Sequence, residues 1–116
     1  MNDKISFTYH KLNKNGLNIS EKDLNDIAKK YGVKEISVFG SALRDDFTPQ
    51  SDLDLLIEFT DSQNISLFDI IDIQDFFSKL TNRNVDIVEP ASLKNPYRKK
   101  AILSSKEVLY SADRKG

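Results

Sequence analysis

The stretch "FGSALRDDFTPQSDLDLLIEF", residues 39–59, opens on a glycine-serine pair and closes on acids alternating with aliphatic residues. A strand over Asp52 to Phe59 turns Leu53, Leu55, Ile57 and Phe59 to one side and Asp52, Asp54, Leu56 and Glu58 to the other. The first side is core. The second begins with two carboxylates whose Cα atoms stand about 6.5 to 7 Å apart. Like charges near 6 Å repel by roughly 3 kcal/mol at an effective dielectric of 20, so the pair calls for a compensating partner.

Working outward, "VKEISVF" at 33–39 has the β-branched and aromatic content of a strand running into Gly40. "RDDFTPQS" reads as loop, with Pro49 barring a continuing helix. Upstream, Ser20 with Asp23 forms a capping-box pattern ahead of Leu24, Ile27, Ala28 and Tyr31 at helical spacing, and Gly32 stands where a C-cap glycine belongs. Downstream, residues 66–80 read as a helix apolar over more than half its circumference, more in keeping with core than with a docking face. "NVDIVEP" at 84–90 reads as a third strand, and "LKNPYRKKAILSSKEVLY" as a short helix followed by an apolar segment that packs back on the domain. The expected product is a small α/β sheet backed by helices on one side. Residues 20–112 form the domain, 1–19 an N-terminal extension without a clear pattern, and 113–116 a tail.

Composition narrows the chemistry. With 116 residues, 39% of them hydrophobic, one domain with its own core is expected. Seventeen Lys and Arg against 18 acids leave a net charge of -1, which gives no general attraction to nucleic acid or anionic lipid. The chain has no cysteine, so thiolate metal sites, disulfides and cysteine nucleophiles are excluded. With no apolar run of membrane-spanning length and no secretion signal, a cytoplasmic protein is expected.

The candidate site follows from the acids. Asp86, in the third strand, completes a three-carboxylate cluster if that strand neighbours the second. An oxygen-only set of this kind suits a hard divalent cation, Mg²⁺ above all, which recruits phosphate oxygens as further ligands. Gly40 lets the backbone approach a phosphate, while the Ser41 hydroxyl and the N–H groups of the turn can donate to it. A phosphate cradle beside a two-metal carboxylate site is equipment for displacement at phosphorus. Arg44 could either steady a triphosphate or pair with Asp45 or Asp46. Lys94, Arg98, Lys99 and Lys100 read mainly as a solvated helix face, with contact to triphosphate or to RNA carried by a partner as the alternative.

The combination Gly40-Ser41, ten residues, Asp52-Leu53-Asp54 and a later Asp86 in a β-branched strand resembles the nucleotidyltransferase fold of the DNA polymerase beta superfamily. Over roughly residues 20–110 the chain is most similar to the minimal nucleotidyltransferases of bacteria and archaea, in "FGSALRDDFTPQSDLDLLIEF", "VDIVEP" and "LKNPYRKKAI". It departs from many of them in having Asp45, and not glycine, after the loop arginine. The resemblance implies a small mixed sheet and transfer of AMP from ATP to a hydroxyl. It assigns metal binding to Asp52 and Asp54, and to Asp86 help in holding metal and in deprotonating the acceptor. It implies triphosphate binding at Gly40, Ser41 and Arg44, and two Mg²⁺ ions. It further implies an antitoxin that modifies a tyrosine of a co-encoded HEPN ribonuclease toxin within a hetero-oligomer. The rival expectations are a non-catalytic antitoxin that acts by binding alone, and a small-molecule nucleotidyltransferase.

Overall fold

A computed structural model describes residues 17, 19–40, 48, 50–60 and 64–112. Helix α1 (Glu21–Tyr31) starts where Ser20 and Asp23 satisfy each other's backbone amides: Asp23 N donates to Ser20 Oγ at 3.1 Å, and Ser20 N to Asp23 Oδ2 at 3.2 Å. It ends at Gly32, whose left-handed backbone (φ 67°) sends its N–H back to the Ala28 carbonyl. Strand β1 (Val33–Phe39) follows at once, and β2 (Leu53–Phe59) pairs with it antiparallel.

The same devices bound α2 (Leu67–Thr81), which has a capping box of Ser66 with Asp69 and a left-handed Asn82 at its end. It carries the chain back across the sheet so that β3 (Val85–Val88) pairs parallel to β2, as a helical crossover between parallel strands requires. A 3₁₀ turn at Pro90–Ser92 leads to α3 (Pro96–Ser105). Pro96 takes the first helical position and Asn95 Oδ1 accepts from the amides of Tyr97 (2.9 Å) and Arg98 (3.2 Å). The terminal apolar segment is a strand, β4 (Glu107–Ser111), antiparallel to β1. The mixed sheet therefore has the order β3-β2-β1-β4.

One face of the sheet carries the main core. Leu24, Ile27 and Ala28 of α1 and Ile73 and Phe77 of α2 close over Ile36, Val38, Leu53, Leu55, Ile57 and Val85. The opposite face corrects the expectation of helices on one side only. Phe39 and Leu56, which alternation places beside Asp54, are buried under Leu93 and Ile102, so α3 covers part of the acidic face. Leaving Leu56 and Phe39 bare would cost on the order of 1.5–3 kcal/mol each, enough to hold a short helix there. A half-buried ion pair between Lys106, at the end of α3, and Glu35 of β1 ties the helix down, and Ser37 Oγ also donates to Glu35. Helix α2 is core on the side of Ile73 and Phe77, but Leu67, Phe68 and Ile71 in its first turns are exposed. No helix among the described residues is long and apolar enough to cross a membrane.

Candidate active site

Strand pairing brings two of the three acids side by side. In the parallel ladder Leu53 stands opposite Val85, Asp54 opposite Asp86 and Leu55 opposite Ile87. Residues paired in this way project to the same face from strands about 4.8 Å apart. On its other side Asp54 pairs with Phe39, the last residue of β1. Asp54 thus sits in the middle of three strands at the end of the sheet where β1 gives way to Gly40. Asp52 lies just before β2, exposed, and its charge acts on Asp54.

Gly40 is in the left-handed region (φ +77°), and a Cβ built on it would meet Asp54 Oδ2 at 2.8 Å. The Asp54 carboxylate therefore rests against the bare Cα of Gly40, an approach that a side chain would close off. Asp54 is half-buried, and its carboxyl pKa is raised from 3.8, first by burial and then by the charges of Asp86 and Asp52. The Arg98 guanidinium, carried in by α3, lowers it in part.

Of the residues singled out from sequence, the structure brings together Gly40, Asp54 and Asp86, with Asp52 within electrostatic reach. Ser41 and Arg44 lie outside the described residues. Among the described residues no three carboxylates stand close enough to grip an ion jointly in this conformation. The donor set nevertheless fits one. It is oxygen-only, it faces the side of Gly40, and Asp54 bears like-charge repulsion that a divalent cation would relieve.

Arg98 stands among four cations of a basic stretch for which triphosphate contact is the alternative to a solvated face, and its effect on Asp54 singles it out. One further residue has no signal in the sequence. Arg83 sits in the α2–β3 connection, and its Nη1 donates to the carbonyls of Thr48 and Ser51, both at 2.9 Å. Its partners are main-chain atoms 35 and 32 residues away, which leave no trace in side-chain identity.

The Arg98 contribution can be checked directly. In metal-free protein, Arg98→Ala should move the Asp54 titration to still higher pH, because a cation that favours its ionised form is gone. Carboxyl chemical shifts followed from pH 3 to 8 read this out, and an unchanged or lowered midpoint contradicts the placement of Arg98.

Comparison with known proteins gives the family and the fold. The family described as "Nucleotidyltransferase domain" matches residues 21–109. MJ0126 of Methanocaldococcus jannaschii, an inferred protein adenylyltransferase, is 38% identical over 84 residues, spanning 72% of this chain and 84% of that protein. Protein adenylyltransferase MntA of Thermococcus cleftensis is 33% identical over 85 residues, spanning 73% and 81%. Among solved structures, a chain of a toxin-antitoxin crystal structure with AMP-PNP superposes with a TM-score of 0.64 at 13% identity, covering 82% of this chain and 76% of that one. A protein classed by inference as a minimal nucleotidyltransferase superposes at 0.56 with 27% identity, covering 73% and 84%. The matched span contains Gly40, Asp52, Asp54 and Asp86, and the chain belongs to the nucleotidyltransferase domain family.

Proposed function

We propose that the protein transfers AMP from ATP to a hydroxyl of a partner protein, with Mg²⁺ held by Asp52, Asp54 and Asp86, and that it serves as the antitoxin of a cytoplasmic toxin-antitoxin pair. The single observation that carries the reading is the placement of Asp54 directly between Asp86 and Gly40. Two acids on neighbouring strands beside a glycine turn are the arrangement expected of an ion site next to a bound phosphate. The names of the curated relatives support adenylyl transfer to protein, and the toxin-antitoxin neighbours support the partner.

In this reading Asp52 and Asp54 supply fixed negative oxygens, and Gly40 with Ser41 offers backbone N–H groups to the triphosphate. When bound, Mg²⁺ would neutralise charge on the phosphates and on the leaving pyrophosphate. The acceptor oxygen forms a bond to the α-phosphorus of ATP as the bond from that phosphorus to pyrophosphate breaks. Asp86, exposed at the β3 edge, takes the acceptor proton. The Arg98 side chain adds positive charge on the side of α3, where an incoming phosphate oxygen would be favoured. A tyrosine of a HEPN-type toxin is the acceptor we favour, as the resemblance to the minimal nucleotidyltransferases implies.

The test is incubation with labelled ATP, Mg²⁺ and the product of the adjacent gene, with Asp54→Asn as control. Label on the partner, lost in the variant together with neutralisation, is the expected result. No label, with equal neutralisation by both proteins, would show an antitoxin that works by binding alone. Label on a small metabolite would redirect the assignment to a different acceptor.

A further inference from the structure

The acid-bearing segments have to be held at a fixed separation, and Arg83 is placed to do so. Asp52 follows the turn Thr48–Ser51, in which Ser51 N donates to the Thr48 carbonyl at 3.0 Å and Thr48 N to Ser51 Oγ at 3.0 Å. The Arg83 guanidinium donates to the carbonyls at both ends of that turn. Arg83 is itself fixed at the backbone. Its N–H reaches the Ser78 carbonyl at 3.3 Å, and its carbonyl accepts from Ser78 Oγ at 2.7 Å, so its base is anchored to the last turns of α2. One residue further, the Asn84 carbonyl accepts from Leu53 N at 2.9 Å. Asp52 is thus gripped from both sides, through Ser51 by the Arg83 side chain and through Leu53 by the backbone that leads to Asp86.

We infer that Arg83 is a positioning residue for the divalent-ion site: it fixes Ser51, and with it Asp52, against the strand that carries Asp86. The inference rests on the proposed function, because it assumes that the three acids serve a cation. It adds that the geometry of the set is imposed from the α2–β3 connection, by a residue that touches neither ion nor nucleotide. Both bonds leave one nitrogen, Nη1, so what the guanidinium supplies is the fixed planar direction of that nitrogen's two N–H groups, whereas a lysine ammonium rotates freely about its stem. Supporting groups of this kind change metal affinity by about 10- to 100-fold when removed.

The experiment is a Mn²⁺ binding titration by electron paramagnetic resonance on the full chain, without nucleotide, comparing wild type, Arg83→Ala, Arg83→Lys and Asp54→Asn. Amide hydrogen exchange at Ser51 and Leu53 is measured on the same samples. Arg83→Ala should weaken Mn²⁺ binding by about 10-fold or more and speed exchange at Leu53. Arg83→Lys should fall between it and wild type, with the exchange pattern of the sheet core unchanged in all. Wild-type affinity in Arg83→Ala, while Asp54→Asn has lost binding, overturns the role of Arg83 and leaves the site intact. Equal binding by wild type and Asp54→Asn overturns the metal site itself, and the inference with it. Should Arg83→Ala fail to fold, Arg83→Lys decides: affinity equal to wild type overturns the inference, and a loss with folded circular dichroism supports it.

Discussion

Asp54→Asn should lower AMP transfer by about 10³-fold or more and at the same time raise the thermal midpoint of the metal-free protein by roughly 4 °C. The first effect follows from position. Asp54 is the acid that meets both Asp86 and the Gly40 turn, so under the proposed function losing its charge removes the central ligand of the ion. The second follows from its raised pKa. An acid whose folded pKa lies above its unfolded value of 3.8 binds more protons when folded. Stability from this group therefore falls as pH rises from about 3.8 through the raised folded value, and at neutral pH the ionised form is a burden. Asparagine removes that burden while keeping shape. Because Asp54 is half-exposed, solvent screening keeps the gain small, a matter of a few degrees in melting point. Circular dichroism melts at pH 7 and pH 4 separate the causes, since the advantage of the variant should shrink at the lower pH. A variant that is inactive and also less stable at pH 7 would mean that Asp54 is not under like-charge stress.

Gly40→Ala is the second large effect. The left-handed backbone costs an L-residue about 1–2 kcal/mol. The new methyl would meet Asp54 Oδ2 at 2.8 Å, closer than contact allows, and the carboxylate is the part that can give way. Rotating it shifts the central acid by a fraction of an ångström to an ångström, a displacement that costs transfer on the order of 10²-fold. Expected, then, is a melting point lower by roughly 4–8 °C with a disproportionate loss of turnover. In the Gly40→Ala/Asp54→Asn double variant the two activity losses should not add, because both act on the same carboxylate. Activity within a few-fold of wild type in Gly40→Ala would show that Asp54 is not seated against the glycine.

Much of this arrangement is legible in the residues, and the gaps have physical causes. Alternation along the expected strand puts Asp52 and Asp54 on one face, although β2 begins at Leu53 and leaves Asp52 just ahead of it, and the capping residues Ser20, Asp23, Gly32 and Ser66 set the helix ends locally. What alternation alone cannot give is register. The pairing of Asp54 with Asp86 depends on β3 docking parallel to β2 after the α2 crossover, a long-range event. Leu56 on the acidic face was the available clue that something covers that side, and α3 does so through Ile102. In sequence the "EVLYS" strand shows only as a packed apolar segment, because five residues after a helix carry too little period to settle on a sheet. Arg83 and Arg98 acquire their roles from neighbours distant in the chain. The expectations for residues 1–16, Ser41 and Arg44 fall outside the described residues.

The central claim is that Asp52, Asp54 and Asp86 jointly hold a divalent cation against a nucleotide. A crystal structure with Mn²⁺ and a non-hydrolysable ATP analogue, with the ion located by its anomalous scattering, tests it most directly. Expected is an ion about 2.0–2.2 Å from oxygens of all three aspartates and of the analogue's phosphates, at the Gly40 turn. Nucleotide bound elsewhere, or an ion site that leaves out Asp86, would contradict it.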